Sequence, residues 1–159
     1  MLDQIYIAGD SAGGNLAAGV IAHLSHPHSA APAIELAEKK LGGAYFISPW
    51  VTFDNGSSSM ETNKNRDYIS ATHLKPFSDQ FIGISGLDGY NAPLIESPEW
   101  WKGLQVQSLC VVGGEYEIFL TDIESWAAVL KVFRTPVLFG FNSSWDITSL
   151  FSSYRAGTN

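Results

Sequence analysis

The chain has one cysteine, Cys110, so no internal disulfide can staple it. That residue lies in an apolar run and reads as a small buried core side chain. A lone thiol is compatible with a reducing compartment. Basic residues are scarce: 9 Lys+Arg against 16 Asp+Glu give a formal net charge of −7. That balance argues against nucleic acid or an anionic membrane as the main partner. No apolar run approaches the ~20 residues of a membrane span, so no stable membrane anchor is expected. Met1-Leu2-Asp3-Gln4 has no basic region and no long apolar run behind it, so no signal peptide is read, and the expected location is cytoplasmic. There is no Gly-Lys-Ser/Thr to build a phosphate loop, and there are no internal repeats. Histidine is sparse as well. His23, His26, His28 and His73 are the whole supply, and none follows His73.

What is present argues for a globular domain. The 159 residues are 45% hydrophobic and 13% aromatic, enough for one core. The chain is organised around its first stretch, Ile5-Tyr6-Ile7-Ala8-Gly9-Asp10-Ser11-Ala12-Gly13-Gly14-Asn15-Leu16-Ala17. A β-prone run leads into Gly-Asp-Ser-Ala-Gly, and a small-residue helical pattern follows. That is the G-x-S-x-G elbow in its expected context of strand, tight turn and helix. Gly9 and Gly13 are expected to flank Ser11 where a Cβ would clash with the neighbouring strand or helix. Ser11 is left on an exposed tip beside the free N–H groups of the first helical turn.

The string Gly9-Asp10-Ser11-Ala12-Gly13-Gly14-Asn15 resembles the nucleophile elbow of the α/β-hydrolase superfamily, specifically the hormone-sensitive-lipase-like carboxylesterases. The resemblance covers about residues 4–134 and includes segments similar to fungal members, Tyr90-Asn91-Ala92-Pro93 and Pro98 to Leu104. It implies an α/β fold: a partial α/β-hydrolase domain over residues 1–141, with a mostly parallel sheet of about four strands flanked by helices. It implies a serine hydrolase of small-molecule esters with no cofactor and no metal. Ser11 would be the nucleophile and the N–H of Ala12 an oxyanion donor. Asp10 and Trp50 would be pocket residues.

Taken in order, residues 4–8 read as the first strand and 12–24 as a helix with Leu16, Val20, Ile21 and Leu24 at helical spacing. His23, His26 and His28 at its end are too loosely spaced, and too short of carboxylates or thiols, for a structural metal site. Residues 29–40 are a polar linker. Gly42 to Ile47 is a continuous apolar run, as in a strand covered on both faces, and it exits through Ser48-Pro49-Trp50. Trp50 at the carboxyl end of the sheet reads either as a ligand-side residue or as an aromatic packed under the loop. Residues 53–70 are a Ser/Asn/Asp-rich loop. A helix follows over about 73–83, with Ser70 near its cap and Leu74, Phe77, Phe81 and Ile82 on its apolar side. His73, at that helix start, reads as a surface or capping residue.

Gln107 to Val112 is a third strand, broken by Gly113-Gly114. The family places its acid just after this strand, and Glu117 falls on that position. Glu115 is the nearest rival, and Asp122 belongs to the acidic first turn of a helix running to Lys131. Helix-dipole complementarity and solvent-facing charge are the plain alternative for all three. Pro136 to Phe141 is a fourth strand, and residues 142–159 form a divergent tail.

Serine acyl transfer also needs a histidine to take the hydroxyl proton and further oxyanion donors. The family supplies them from a loop after the acid and from a His-Gly-Gly loop before the elbow, and this chain shows neither. The expectation is a truncated member, catalytically inactive by itself, acting at most as a binding module. Loss of upstream neighbours would leave the first strand as an exposed edge open to self-association.

Overall fold

A computed structural model describes residues 2–131 and the backbone of 137–141. Four strands form one sheet: β1 (Tyr6–Asp10), β2 (Gly43–Ile47), β3 (Leu109–Gly113) and β4 (Val137–Phe141). Their order in the sheet is their order in the chain, and every pair is parallel. The helices are α1 (Ala12–Ser25), α2 (Ser58–Thr62), α3 (Ala71–Ile82) and α4 (Leu120–Lys131).

The register decides where the chemistry falls. Asp10 pairs with Ile47, and Ile47 with Val112. The next residues, Ser11, Ser48 and Gly113, therefore stand in a row at the carboxyl edge of the sheet, where ligands bind in parallel α/β folds. With strands about 4.8 Å apart, two steps separate the exit of β1 from the exit of β3 by roughly 10 Å.

The core lies around β3 and α4. Leu109, Cys110 and Val111 are all buried, as the apolar run implies for a strand covered on both faces. Burial pushes the Cys110 thiol pKa up, in keeping with an inert core residue. α4 contributes Ile123, Trp126, Ala127 and Leu130. Trp126 packs edge-on against Phe46 at 5.0 Å and Trp101 at 5.6 Å between ring centres. α1 meets the sheet through Ala17, Ala18, Ile21 and Ala22. The small residues win this face because they let the helix axis approach the strands. Leu16 and Val20 are left 59% and 43% exposed.

Several boundaries move. The first strand starts at Tyr6 rather than residue 4, because Leu2–Gln4 forms a 3₁₀ turn closed by the Ile5 N–H donating to Leu2 O at 3.0 Å. It then runs to Asp10, immediately before Ser11. The third helix starts at Ala71, with Ser70 as its cap accepting from the His73 N–H. Its side Phe77 and Phe81 stand exposed while Leu74 and Ser78 are buried. The loop over 53–70 contains the helix α2. Residues 142–159, read as a divergent tail, lie outside the described residues.

Among the described strands β1 forms one edge of the sheet, and its side chains alternate between exposed and half-buried. Among the described residues no helix is long and apolar enough to cross a membrane.

Candidate active site

β1 turns into α1 within one residue. Ser11 makes that turn with φ 52° and ψ −116°, a region L side chains rarely occupy. Three backbone bonds hold it there. The Ser11 N–H donates to Ile47 O at 2.9 Å, continuing the ladder with β2, while Ser11 O accepts from Asn15 N and Trp50 N, each at 3.1 Å. The Ser11 side chain makes no capping bond to the helix, so its hydroxyl is not spent on α1. The first N–H groups of α1, Ala12's among them, have no partner inside the helix.

Glycine is required at two points of this turn. A Cβ on Gly9 would run into the Gly13 carbonyl, and one on Gly14 would meet Pro49 Cβ at 2.9 Å. Gly13 itself faces open space, against the expectation of a clash. Its part is passive: its backbone is the surface that Gly9 must not strike, while Gly14 lets the helix reach the loop after β2.

Glu117 follows β3 by four residues and turns back over the edge of the sheet. Its Oε1 accepts from Ser48 Oγ at 2.6 Å and from Gly114 N at 2.9 Å. Its Oε2 is buried without a partner among the described residues. Burial is the largest influence on this carboxyl and raises its pKa; the Ser48 and Gly114 bonds pull the other way, and the charges of Asp67 and Asp10 add to the rise. Glu115, the rival, is exposed.

The segment around α2 splints this acid loop. Asn63 Nδ2 donates to Glu117 O at 2.9 Å and to Glu115 O at 3.3 Å. Asp67 Oδ2 accepts from Ile118 N at 2.8 Å. Ser59 Oγ donates to Ile118 O at 2.6 Å and accepts from Thr121 N at 3.0 Å. Asp122 is buried and accepts from Ser57 Oγ at 3.0 Å, with its pKa raised by burial. It sits in the first turn of α4 as expected, but it is a link in this splint rather than a solvent-facing charge.

Beside the elbow lies a cavity of about 190 Å³. Ala12 and Asn15 of α1, Trp50 and Phe53 after β2, and Phe77 and Phe81 of α3 line it. Both readings of Trp50 therefore hold at once. It is buried, stacks on Phe119 at 5.7 Å and meets Phe53 edge-on at 4.9 Å, and it also forms the cavity wall. Asn15 ties the wall together, its Nδ2 donating to Trp50 O at 2.8 Å and Asn91 O at 2.6 Å. Asp10, exposed at the end of β1, reaches the site through its charge on Glu117 and does not line this cavity.

A strand, a strained serine and a helix on a parallel sheet, with a carboxylate after a later strand, match the alpha/beta hydrolase fold family over residues 2–140. The chain belongs to that family. Among solved structures, the chain is similar to a fungal esterase from Rhizomucor miehei, at 20% identity and a TM-score of 0.74, covering 89% of this chain and 41% of that one. It is similar to a thermostable esterase from Pseudomonas putida, at 19% identity and a TM-score of 0.72, covering 97% of this chain and 49% of the other. An esterase of the bacterial hormone-sensitive lipase family matches at 20% identity and a TM-score of 0.71, covering 94% and 46%. This hydrolase-fold chain thus spans less than half the length of these three. No curated protein matches it.

The histidines of this hydrolase-fold chain lie elsewhere. His23 closes α1, about 18 Å along the helix axis from Ser11 at a rise of about 1.5 Å per residue. Its Nε2 donates to Pro32 O at 3.0 Å, and its Nδ1 accepts from His28 N at 3.0 Å. His26 stacks on Trp100 at 4.2 Å and bonds Trp100 O at 2.7 Å. His28 meets Tyr90 edge-on at 4.8 Å. His73 is exposed in the first turn of α3.

Sequence reasoning did not single out Ser48, Asn63, Ser59, Asp67 or Asn15. Asn15 carried a signal, since asparagine is unfavourable inside a helix and asks for a tertiary partner. The others sat in a run read only as polar loop.

Proposed function

We propose that this chain carries the nucleophile and the acid of a serine hydrolase acting on carboxylic esters through an acyl-enzyme. The backbone of Ser11, held at φ 52° between β1 and α1, supports this most. Strain of this kind costs about 1–3 kcal/mol and persists where surrounding structure enforces it. Here it presents an uncommitted hydroxyl beside helix N–H groups. In the proposed step the Ser11 Oγ attacks the ester carbonyl, the oxyanion forms against the Ala12 N–H, and the alcohol leaves with a proton. Glu117 would orient and charge-stabilise an imidazole standing in the roughly 10 Å gap between the exits of β1 and β3. Its Oε1 is already committed and its Oε2 is the remaining acceptor.

The second reading, a binding module without turnover, is favoured by the same orphan oxygen. No histidine follows Glu117 in the chain, and the three near the end of α1 are far from Ser11. We therefore expect p-nitrophenyl acetate hydrolysis near background. A fluorophosphonate is expected to modify Ser11 slowly, with Ser11→Ala abolishing the adduct seen by mass spectrometry. Turnover at esterase rates that Ser11→Ala removes would overturn the inactive reading and reveal a base, to be sought first at His73. Labelling spread over other serines would overturn the assignment of Ser11. The outer edge of β1 is proposed as a self-association surface, with Ile5 45% and Tyr6 55% exposed beside it. Sedimentation is expected to show concentration-dependent oligomers that Ile5→Lys weakens.

A further inference from the structure

The cavity beside Ser11 is walled by aromatic rings, yet it holds two buried polar atoms without partners. Asn15 is 2% exposed, and both its Nδ2 bonds go to the loop carbonyls of Trp50 and Asn91, leaving Oδ1 unpaired. Trp50 is 6% exposed and its Nε1 is unpaired too. One is an acceptor and the other a donor, and both residues line the same cavity. Buried polar groups are ordinarily satisfied, so a pair left open around a cavity points to what fills it. A hydroxyl is the group that can accept from an indole N–H and donate to an amide oxygen at once.

Size narrows the ligand. At about 190 Å³ the cavity is somewhat larger than an engineered cavity of about 150 Å³ that takes up benzene. Phe53, Phe77, Phe81 and the Trp50 ring offer edges and faces suited to a single aromatic ring. We infer that the cavity takes a monocyclic aromatic group bearing a hydroxyl. With Ala12 in the wall next to the nucleophile, the substrates would be esters that carry such a ring. This substrate assignment rests on the hydrolase reading above, whereas occupancy of the cavity does not require turnover.

The test uses phenol, anisole and toluene as probes of the Ser11→Ala chain, followed by the indole N–H resonances of ¹⁵N-labelled protein. Trp50→Phe identifies the Trp50 signal and deletes the donor, while anisole deletes the hydroxyl proton that Asn15 Oδ1 would accept. Phenol is expected to bind about tenfold more tightly than toluene, as one or two buried polar groups are satisfied, with anisole between them. The Trp50 indole resonance should move with phenol and stay with toluene, and Trp50→Phe should shrink the preference for phenol. Equal affinity for phenol and toluene would overturn the inference, as would a shift confined to other tryptophans or no binding at all. Fluorophosphonate labelling of Ser11 in the unsubstituted chain reports separately on the hydrolase reading: an unreactive Ser11 with phenol bound ends the substrate assignment and leaves the ligand class standing.

Discussion

The two halves of the site are held by different means. At the exit of β1 the nucleophile is placed by backbone alone: a positive φ, three main-chain hydrogen bonds and two glycines where a methyl group cannot fit. At the exit of β3 the acid is placed by side chains, Ser48 on the carboxylate and Asn63, Ser59 and Asp67 on the loop around it. The first half is local, contained between Gly9 and Asn15 apart from its ladder to the loop after β2. The second draws on residues 50 to 70 positions apart in the chain. A backbone-built site should fail steeply at one atom, and a side-chain-built site should loosen by degrees.

The largest expected effect is at Gly9. Gly9→Ala forces a methyl group into the Gly13 carbonyl and should destabilise the fold by about 3 kcal/mol or more, read from urea midpoints. Gly13→Ala, facing open space inside a helix, should be neutral or stabilise by up to about 1 kcal/mol. Similar losses at both glycines would mean that the elbow is not built as described.

On the acid side, Ser59→Ala strips partners from Ile118 O and Thr121 N and should cost about 2 kcal/mol. A cost as large as that of Gly9→Ala would erase the contrast between the two halves.

Glu117 adds a pH dependence of definite sign. Its pKa in the folded chain is raised above the ordinary 4.5, chiefly by burial, so the native state holds its proton more tightly than the unfolded one. Stability on this account is full below the unfolded value and declines as pH rises from there through the folded value. Glu117→Gln keeps an oxygen for Ser48 and Gly114 and removes the charge. It should be more stable than the parent at neutral pH and lose that advantage below about pH 4. Urea titrations from pH 4 to 8 check this, and an advantage independent of pH would assign the effect to packing instead.

The smallest effect is expected at Ser11 itself. Ser11→Gly relieves the φ of 52° and should stabilise by about 1 kcal/mol while removing the nucleophile. Unchanged or lowered stability would show that the elbow is not strained.

Legibility in the sequence follows the same division. The α/β class, the parallel strands, the elbow and its serine were readable because each is a short-range pattern: an apolar run, a glycine at a tight approach, a helical repeat. Glu117 was readable by its place after β3, although Glu115 stood beside it as an alternative. The exposure of Leu16 and Val20 was not readable, because helical spacing says which residues share a face and not which face the sheet receives. Nor was the helix inside 53–70, whose Ser57, Ser59, Asn63 and Asp67 gain their meaning only from the loop they brace.

By itself the sequence determined that a serine would sit at a strained strand–helix turn, since Gly9, Ser11 and Gly14 are neighbours and their sterics are local. It also determined that no histidine follows the acid. Tertiary structure alone decided which acid turns toward the site, which of its oxygens stays open, and that Ala12, Trp50, Phe77 and Phe81 enclose one cavity. Those outcomes depend on parallel register and on hydrogen bonds between residues distant in the chain, which come together only once the sheet has formed.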